Sequence, residues 1–366
     1  MHKNRYEKKS LINRNRFFER AFASVFFLLL GLIGSASAQE VKVVTPPSQP
    51  RVAAPKPVPT VTPPRTRVYT RKKRAENDQP TPAEKFIKTE PNVNVQLCVS
   101  EGSVRINGWD RNEIRAFVNG GSKIGFKVLQ KSRTTQNPVW VRILGFDPLT
   151  DNEVGLDECL SGEQIEIDVP RGAVVKMTGR ESEIRIESIA EAFVENESGD
   201  IFLSDIASGV RATTLEGDVS VENSGGSMML YTTTGNILAF DVQPSKIGDS
   251  FKAKTRSGAV TLQSIAQRDV EVSSVSGTIR FAGEFSSGGR YNFGTTNGSI
   301  LLVLPESVSC KVNATYGFGA FQSDIPIKDQ IKVPSSQVQK LIGIIGTGDS
   351  TLNLTTYSGS IRIRKQ

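Results

Sequence analysis

"SGDIFLSDIASGVRATTLEGDVSV", residues Ser198 to Val221, carries one phrase twice. Gly199-Asp200-Ile201 returns 18 residues later as Gly217-Asp218-Val219. Outward from this pair, glycine recurs at Gly235, Gly258, Gly277, Gly298 and Gly359, at further intervals of 18, 23, 19, 21 and 61. Gly319 stands 21 residues after Gly298, so the long gap reads as about three turns of the same repeat. Two positions after each glycine stand Ile201, Val219, Ile237, Val260, Ile279, Ile300 and Ile361, all β-branched. Four after come Leu203, Val221, Ala239, Leu262, Phe281, Leu302 and Ile363, and five before lie Val194, Ala212, Leu230, Ala253, Val272, Phe293 and Leu354. Mixed residues alternate with these columns, as in a strand with one buried face.

A unit of this size with two short strands cannot close a core alone, but stacked copies can, because each inward column continues into the next rung. The reading is an all-β fold, a single-stranded parallel β-helix or β-solenoid of short rungs. The glycine sits at the corner, where a positive φ or a missing Cβ lets the chain turn. Three before it, Asn196, Thr214, Thr232, Thr255, Ser274, Thr295 and Thr356 share the inward parity and read as a polar ladder to the turn backbone. The uneven intervals argue against a strict hexapeptide left-handed helix, and a right-handed coil is the expectation. Upstream, Ser182 takes the glycine slot before Ile184 and Ile186, and Gly102 precedes Val104 and Ile106. Residues 118–170 break the pattern and are expected to form β-hairpins capping the N-terminal end, since a bare solenoid end exposes strand edges.

The ends divide the rest of the chain. A basic stretch, an apolar run from Ala21 to Ile33 and Ala36-Ser37-Ala38 read as a signal peptide over 1–38, which places the protein in the periplasm or at the cell surface. Residues 39–90 are proline-dense and aromatic-poor and read as a disordered basic linker. Its run from Arg65 to Arg74 reads first as a solvated charge run, with contact to anionic envelope polymer or lipid as the alternative. The solenoid is assigned to 91–366, with cap and first rungs in 91–170 and the repeat rungs in 171–366. Those residues hold 27 Lys/Arg against 31 Asp/Glu, a net of −4. The +7 of the whole chain therefore belongs to leader and linker, and no nucleic-acid partner is expected. No second run of membrane-spanning length follows the leader.

The progression "PRGAVVKMTGRESEIRIES…VENESGDIFLSDI", with the opening "GSVRINGWDRNEIRAFV", the strand "IEIDVP" and the closing "TYSGSIRIRKQ", resembles the putative-adhesin family of bacterial envelope proteins over roughly 92–366. The resemblance implies an exported β-solenoid without an assigned biochemical activity. The segment "VWVRILGFDPLTDNEVGLDECLSG" and residues 320–347 depart from the simplest pattern.

Chemistry is sparse. His2 is the one histidine, so histidine triads and histidine-ligated metals have no place in the mature chain, and no cofactor is expected. Cys98 and Cys159 are the candidates for a disulfide, with Cys310 a small buried apolar residue. Directly after the corner stand Glu183, Asp200 and Asp218 on successive rungs. Stacked carboxylates can hold a cation or act as an acid and nucleophile on polysaccharide. They are also ordinary turn residues, and that is the expectation. The function expected is a non-enzymatic scaffold or adhesive module binding an envelope protein or polysaccharide. The alternative is a polysaccharide-active β-helix enzyme.

Overall fold

The computed structural model describes residues 82–146, 159–334 and 338–366. The leader, nearly all of the linker and most of the insertion after Phe146 lie outside them. Among the described residues there are 25 strands in one continuous sheet and no helix. The central strands stack parallel and in register. Val219 pairs with Ile201 on one side and Ile237 on the other, and Val260, Ile279, Ile300 and Ile361 continue the column. Every member of that column is buried, as are the Leu203 and Val194 columns. The parity read from sequence is the parity of the core.

Each rung is one long strand, a glycine corner and a short strand, as in Gly209–Glu216 followed by Val219–Glu222. A second corner follows, which the sequence reading did not anticipate. It lies six positions after the first and is built on residues with positive φ: Ser188, Asp205, Asn223, Asp241 and Ser264 at 45° to 61°, then Gly283. Asp and Asn tolerate this region because their short side chains bond locally. Asn223 Nδ2 donates to Asp205 Oδ1 on the preceding rung.

Rung order departs from chain order at both ends. Ser350–Ser358 and Ile361–Lys365, the last strands of the chain, lie between the Gly298 rung and Cys310–Phe318 with Phe321–Ser323. The corner stack therefore runs Gly298, Gly359, Gly319. At the other end Asn94–Trp109 lies inside a rung made of Pro138–Phe146 and Leu160–Pro170.

Antiparallel strands close both ends. Lys123–Lys131 forms the expected hairpin with Pro138–Phe146, whereas Leu160–Pro170, expected among the hairpins, is a parallel rung covered by Glu113–Asn119. The C-terminal end also has a cap, Gln339–Ile345 and Lys328–Pro334, both antiparallel. This cap accounts for the irregular 320–347 stretch.

The linker assignment runs too far. Ala83–Lys88, placed in the linker by its proline-rich surroundings, is a strand antiparallel to Glu113–Asn119. It buries little, but Glu84 pairs with Arg115 at 2.6 Å, and Arg115 also grips Asp168 at 2.7 Å. These bonds tie the edge strand to the cap beneath it and push the Arg115 guanidinium pKa up. Cys98 and Cys159 are bonded, with Cα atoms 4.7 Å apart, and join the first central strand to the rung outside it. Cys310 is buried, and desolvation pushes its thiol up to about 12.

A buried carboxylate holds one loop. Asp249 is 4% exposed, and its Oδ2 accepts from Ser245 N, Ser245 Oγ and Lys246 N at 2.8, 2.9 and 2.8 Å. Its Oδ1 accepts from Ser227 Oγ at 2.8 Å. Burial alone would raise its pKa, but these bonds hold it below the usual carboxylate value. A depressed folded pKa gives stability that is present above the unfolded value, about 4, and lost as pH falls through the folded one. Asp249→Asn should cost roughly 1–3 kcal/mol at neutral pH. Its acid unfolding should also show a smaller loss below about pH 4 than wild type. Urea midpoints at pH 7 and pH 3 check both statements.

Candidate functional site

The sequence singled out the glycine corner, and the structure shows how it is built. Gly199, Gly217, Gly235, Gly258 and Gly359 have φ between 111° and 151°. Gly277 and Gly298 keep the same place in the stack, where a Cβ would meet the carbonyl carbon of the preceding glycine at 2.5 to 2.6 Å. Two requirements therefore meet at one column: a backbone region L-residues avoid, and a rung spacing that leaves no room for a side chain.

The inward polar column is spent on that corner. Thr232 Oγ1 donates to Gly217 O at 2.9 Å, Thr255 to Gly235 O at 3.0 Å, Ser274 to Gly258 O at 3.0 Å, and Thr356 to Gly298 O at 2.9 Å. Asn196 Nδ2 does the same for Ser182 O and Ser198 O, at 2.8 Å each. These bonds satisfy carbonyls that the turn removes from the sheet ladder.

The acidic column is a third ladder. Asp200 Oδ1 accepts from Asp218 N at 2.8 Å, and Asp218 Oδ1 accepts from Asn236 N at 2.7 Å. Asn236 Oδ1 in turn accepts from Ala259 N at 2.9 Å. Each side chain thus caps a backbone donor one rung along. Glu183, longer by a methylene, is exposed at the start of the column. Among the described residues no three of His, Cys, Asp and Glu converge as a metal shell. An amide has the same accepting oxygen as a carboxylate, so Asp200→Asn with Asp218→Asn should keep the ladder and remove a like-charge contact. The melting temperature of the double variant should equal or slightly exceed wild type, with and without millimolar calcium. A calcium-dependent rise confined to wild type would overturn this account of the column.

A concavity absent from the sequence reading lies beside the second corner. There the turns between rungs lengthen and leave a cleft of about 420 Å³ among Gln243, Ser264, Gly283, Glu284, Ser286 and Gln366. Phe285 forms one wall and stacks on buried Tyr291 with ring centroids 4.0 Å apart. Amides, hydroxyls and one carboxylate on an aromatic wall suit a polyol or peptide more than a compact ion. The signal in the sequence was only the widened intervals after Gly235 and Gly277.

The model of the family Toastrack DUF4097 matches residues 162–364. The chain belongs to that family. The match spans the parallel rungs from residue 162 onward and the C-terminal cap, leaving Asn94–Trp109 and Pro138–Phe146 outside it, and it agrees with the adhesin-type resemblance of the sequence. Two solved structures align with the chain. One is a putative cell adhesion protein from Clostridium sporogenes, 14% identical, covering 78% of this chain and 100% of that one, with a TM-score of 0.20. The other is a putative lipid binding protein from Parabacteroides distasonis, 11% identical, covering 78% and 96%, with a TM-score of 0.29. No curated protein matches the chain. Within the Toastrack frame the glycine and threonine columns are the scaffold, and the outward columns and the cleft are what it displays.

Proposed function

We propose that this Toastrack protein is an exported, non-enzymatic envelope module that binds a polysaccharide or protein ligand and is carried on its proline-rich basic segment. The observation that carries the reading is the use of its stacked carboxylates. A β-helix enzyme acting on polysaccharide needs two carboxyl groups free to face a substrate. Here Asp200 and Asp218 each accept a backbone N–H from the next rung. The cleft beside Gln243 and Ser286 offers hydrogen-bonding groups with one side-chain carboxylate, Glu284, which suits holding a ligand rather than cleaving it. The basic stretch, apolar run and small-residue pattern of residues 1–38 support export to the periplasm or cell surface. The mildly acidic rungs argue against nucleic acid.

The test is a glycan array and an envelope pull-down with the wild-type chain and with Gln243→Ala/Ser286→Ala. Capture of a discrete ligand by wild type, at least tenfold weaker in the variant and without turnover of the ligand, supports the reading. Release of a cleaved product, or undiminished capture by the variant, contradicts it.

A further inference from the structure

The outward face of the long strands changes character where the C-terminal cap begins. One column runs Asn292, Asn353 and Asn313, then Ile342 and Ile331 on the cap strands. The three asparagines are spent on one another: Asn353 Nδ2 donates to Asn292 Oδ1 at 2.7 Å, and Asn313 Nδ2 to Asn353 Oδ1 at 3.0 Å. The next column runs Thr355, Thr315, Lys340 and Val333. These rungs turn polar side chains outward, and the cap turns aliphatic ones.

Closing the core does not require those aliphatics. Leu341 and Ile345, on the inner face of the cap, are buried and do that. Ile331 and Val333 lie on the opposite face, 59% and 49% exposed, beside half-buried Ile342. Around them stand Lys311, Lys328 and Lys340, all exposed and without an ion pair among the described residues. Asp329 is the one carboxylate on the two cap strands. At the corner end of this face Phe318 and Tyr357, both exposed, meet edge to face with ring centroids 5.6 Å apart.

Apolar side chains ringed by unpaired cations fit an occupant that is itself apolar and anionic. A strand from another protein does not fit. Lys328–Pro334 is an edge strand, but a bulge between Lys328 and Ile331, a positive φ at Asp329 and the closing Pro334 obstruct further pairing. An acidic protein fits poorly as well, because the buried centre of a protein interface is depleted in lysine. A sugar polymer would set its hydroxyls against Ile331 and Val333, which cannot bond them. An anionic lipid surface suits each feature. Aliphatic side chains enter the acyl boundary, lysines reach phosphates along their apolar stems, and aromatic rings sit at headgroup level.

We propose that the outer face of the C-terminal cap docks on an anionic lipid surface, with Ile331, Val333 and Ile342 laid on the leaflet and Lys311, Lys328 and Lys340 against its phosphates. From the strand of Val333 to that of Tyr357 the face spans three strand spacings, about 14 Å, so the docking is shallow and reversible. This surface is separate from the cleft and goes beyond the ligand reading of it.

Vesicle co-sedimentation of the full chain tests it, with equal parts phosphatidylcholine and phosphatidylglycerol against phosphatidylcholine alone. Wild type should bind the anionic vesicles about tenfold more tightly or better, and lose binding as salt is raised. Ile331→Asp/Val333→Asp and Lys328→Glu/Lys340→Glu should each weaken binding about tenfold or more. All four sites are exposed, so both variants should keep the wild-type melting temperature. An environment-sensitive dye on Ile331→Cys should shift to shorter wavelength with the anionic vesicles. The same dye on Leu215→Cys, an exposed site on the central rungs, should not. Should the aspartate variant fail to fold, the lysine reversal and the two dye positions still decide. Vesicles left unbound, equal binding to both compositions, or an unresponsive dye at position 331 would overturn the proposal. So would binding that neither variant weakens, which would belong to the leader or the basic segment. Capture of a soluble acidic protein through these residues, without vesicle binding, would overturn it too. None of these outcomes bears on ligand capture by the cleft, which is read separately.

Discussion

Deletion of residues 350–366 should abolish the cooperative fold of the C-terminal half rather than trim its end. The strands lost are a central rung. Ser350–Ser358 pairs with Arg290–Asn297 on one side and Cys310–Phe318 on the other. Leu352, Leu354, Ile361 and Ile363 on these strands are all buried. At about 1.5–3 kcal/mol for each buried aliphatic side chain, they account for at least about 6 kcal/mol. A whole domain is stable by only about 5–15 kcal/mol. The truncated chain should lose its thermal transition or show one lowered by tens of degrees, with exposed apolar surface reported by dye binding. If the rungs stacked in chain order, the same deletion would remove a terminal rung and lower the transition while leaving the remaining rungs cooperatively folded.

Valine at the glycine corner should be almost as damaging. At Gly217 the backbone has φ of 139°, and a new Cβ would stand 2.6 Å from the Gly199 carbonyl carbon. Two costs add there: a side chain in a region that L-residues avoid, and overlap with a backbone atom that has no rotamer to retreat into. Gly277 isolates the second cost. Its Cβ would lie 2.5 Å from the Gly258 carbonyl carbon, but its φ is not in the strained range. Each substitution should cost about 3 kcal/mol or more, with Gly217→Val the more severe. Denaturant midpoints compared with Gly248→Val check this. Gly248 also has positive φ, at 94°, yet a Cβ there would meet nothing within 4 Å, so that variant reports strain alone.

Legibility in the sequence followed how few residues could satisfy each position. Glycine is the only residue without a Cβ, so a column that forbids one is written as glycine on nearly every rung. The inward aliphatics were equally plain because one face of every strand is buried. The second corner was hidden because its positive φ is met by Ser188, Asp205, Asn223, Asp241 and Ser264, residues ordinary in any surface loop. Rung order was not legible at all. An interval of three turns between Gly298 and Gly359 says how many rungs intervene in the chain, not where each one stacks. The strand Ala83–Lys88 escaped notice because an edge strand held by Glu84 and Arg115 needs no hydrophobic alternation. The acidic column was visible as residues, but its hydrogen bonds to the next rung's backbone appear only once the register is known.

The stacking order is the claim on which corner, ladders and faces all depend, and a pair of cysteines measures it directly. Asn297 and Ser358 are exposed cross-strand partners, and Phe318 is the partner of Ser358 on its other side. Neighbouring parallel strands lie about 4.8 Å apart, within the Cα separation a disulfide accepts, whereas two rungs span about 9.6 Å and exceed it. Under mild oxidation, Asn297→Cys with Ser358→Cys should cross-link rapidly in the folded chain, and Asn297→Cys with Phe318→Cys should not. Efficient cross-linking of the 297–318 pair, with none between 297 and 358, would contradict the account.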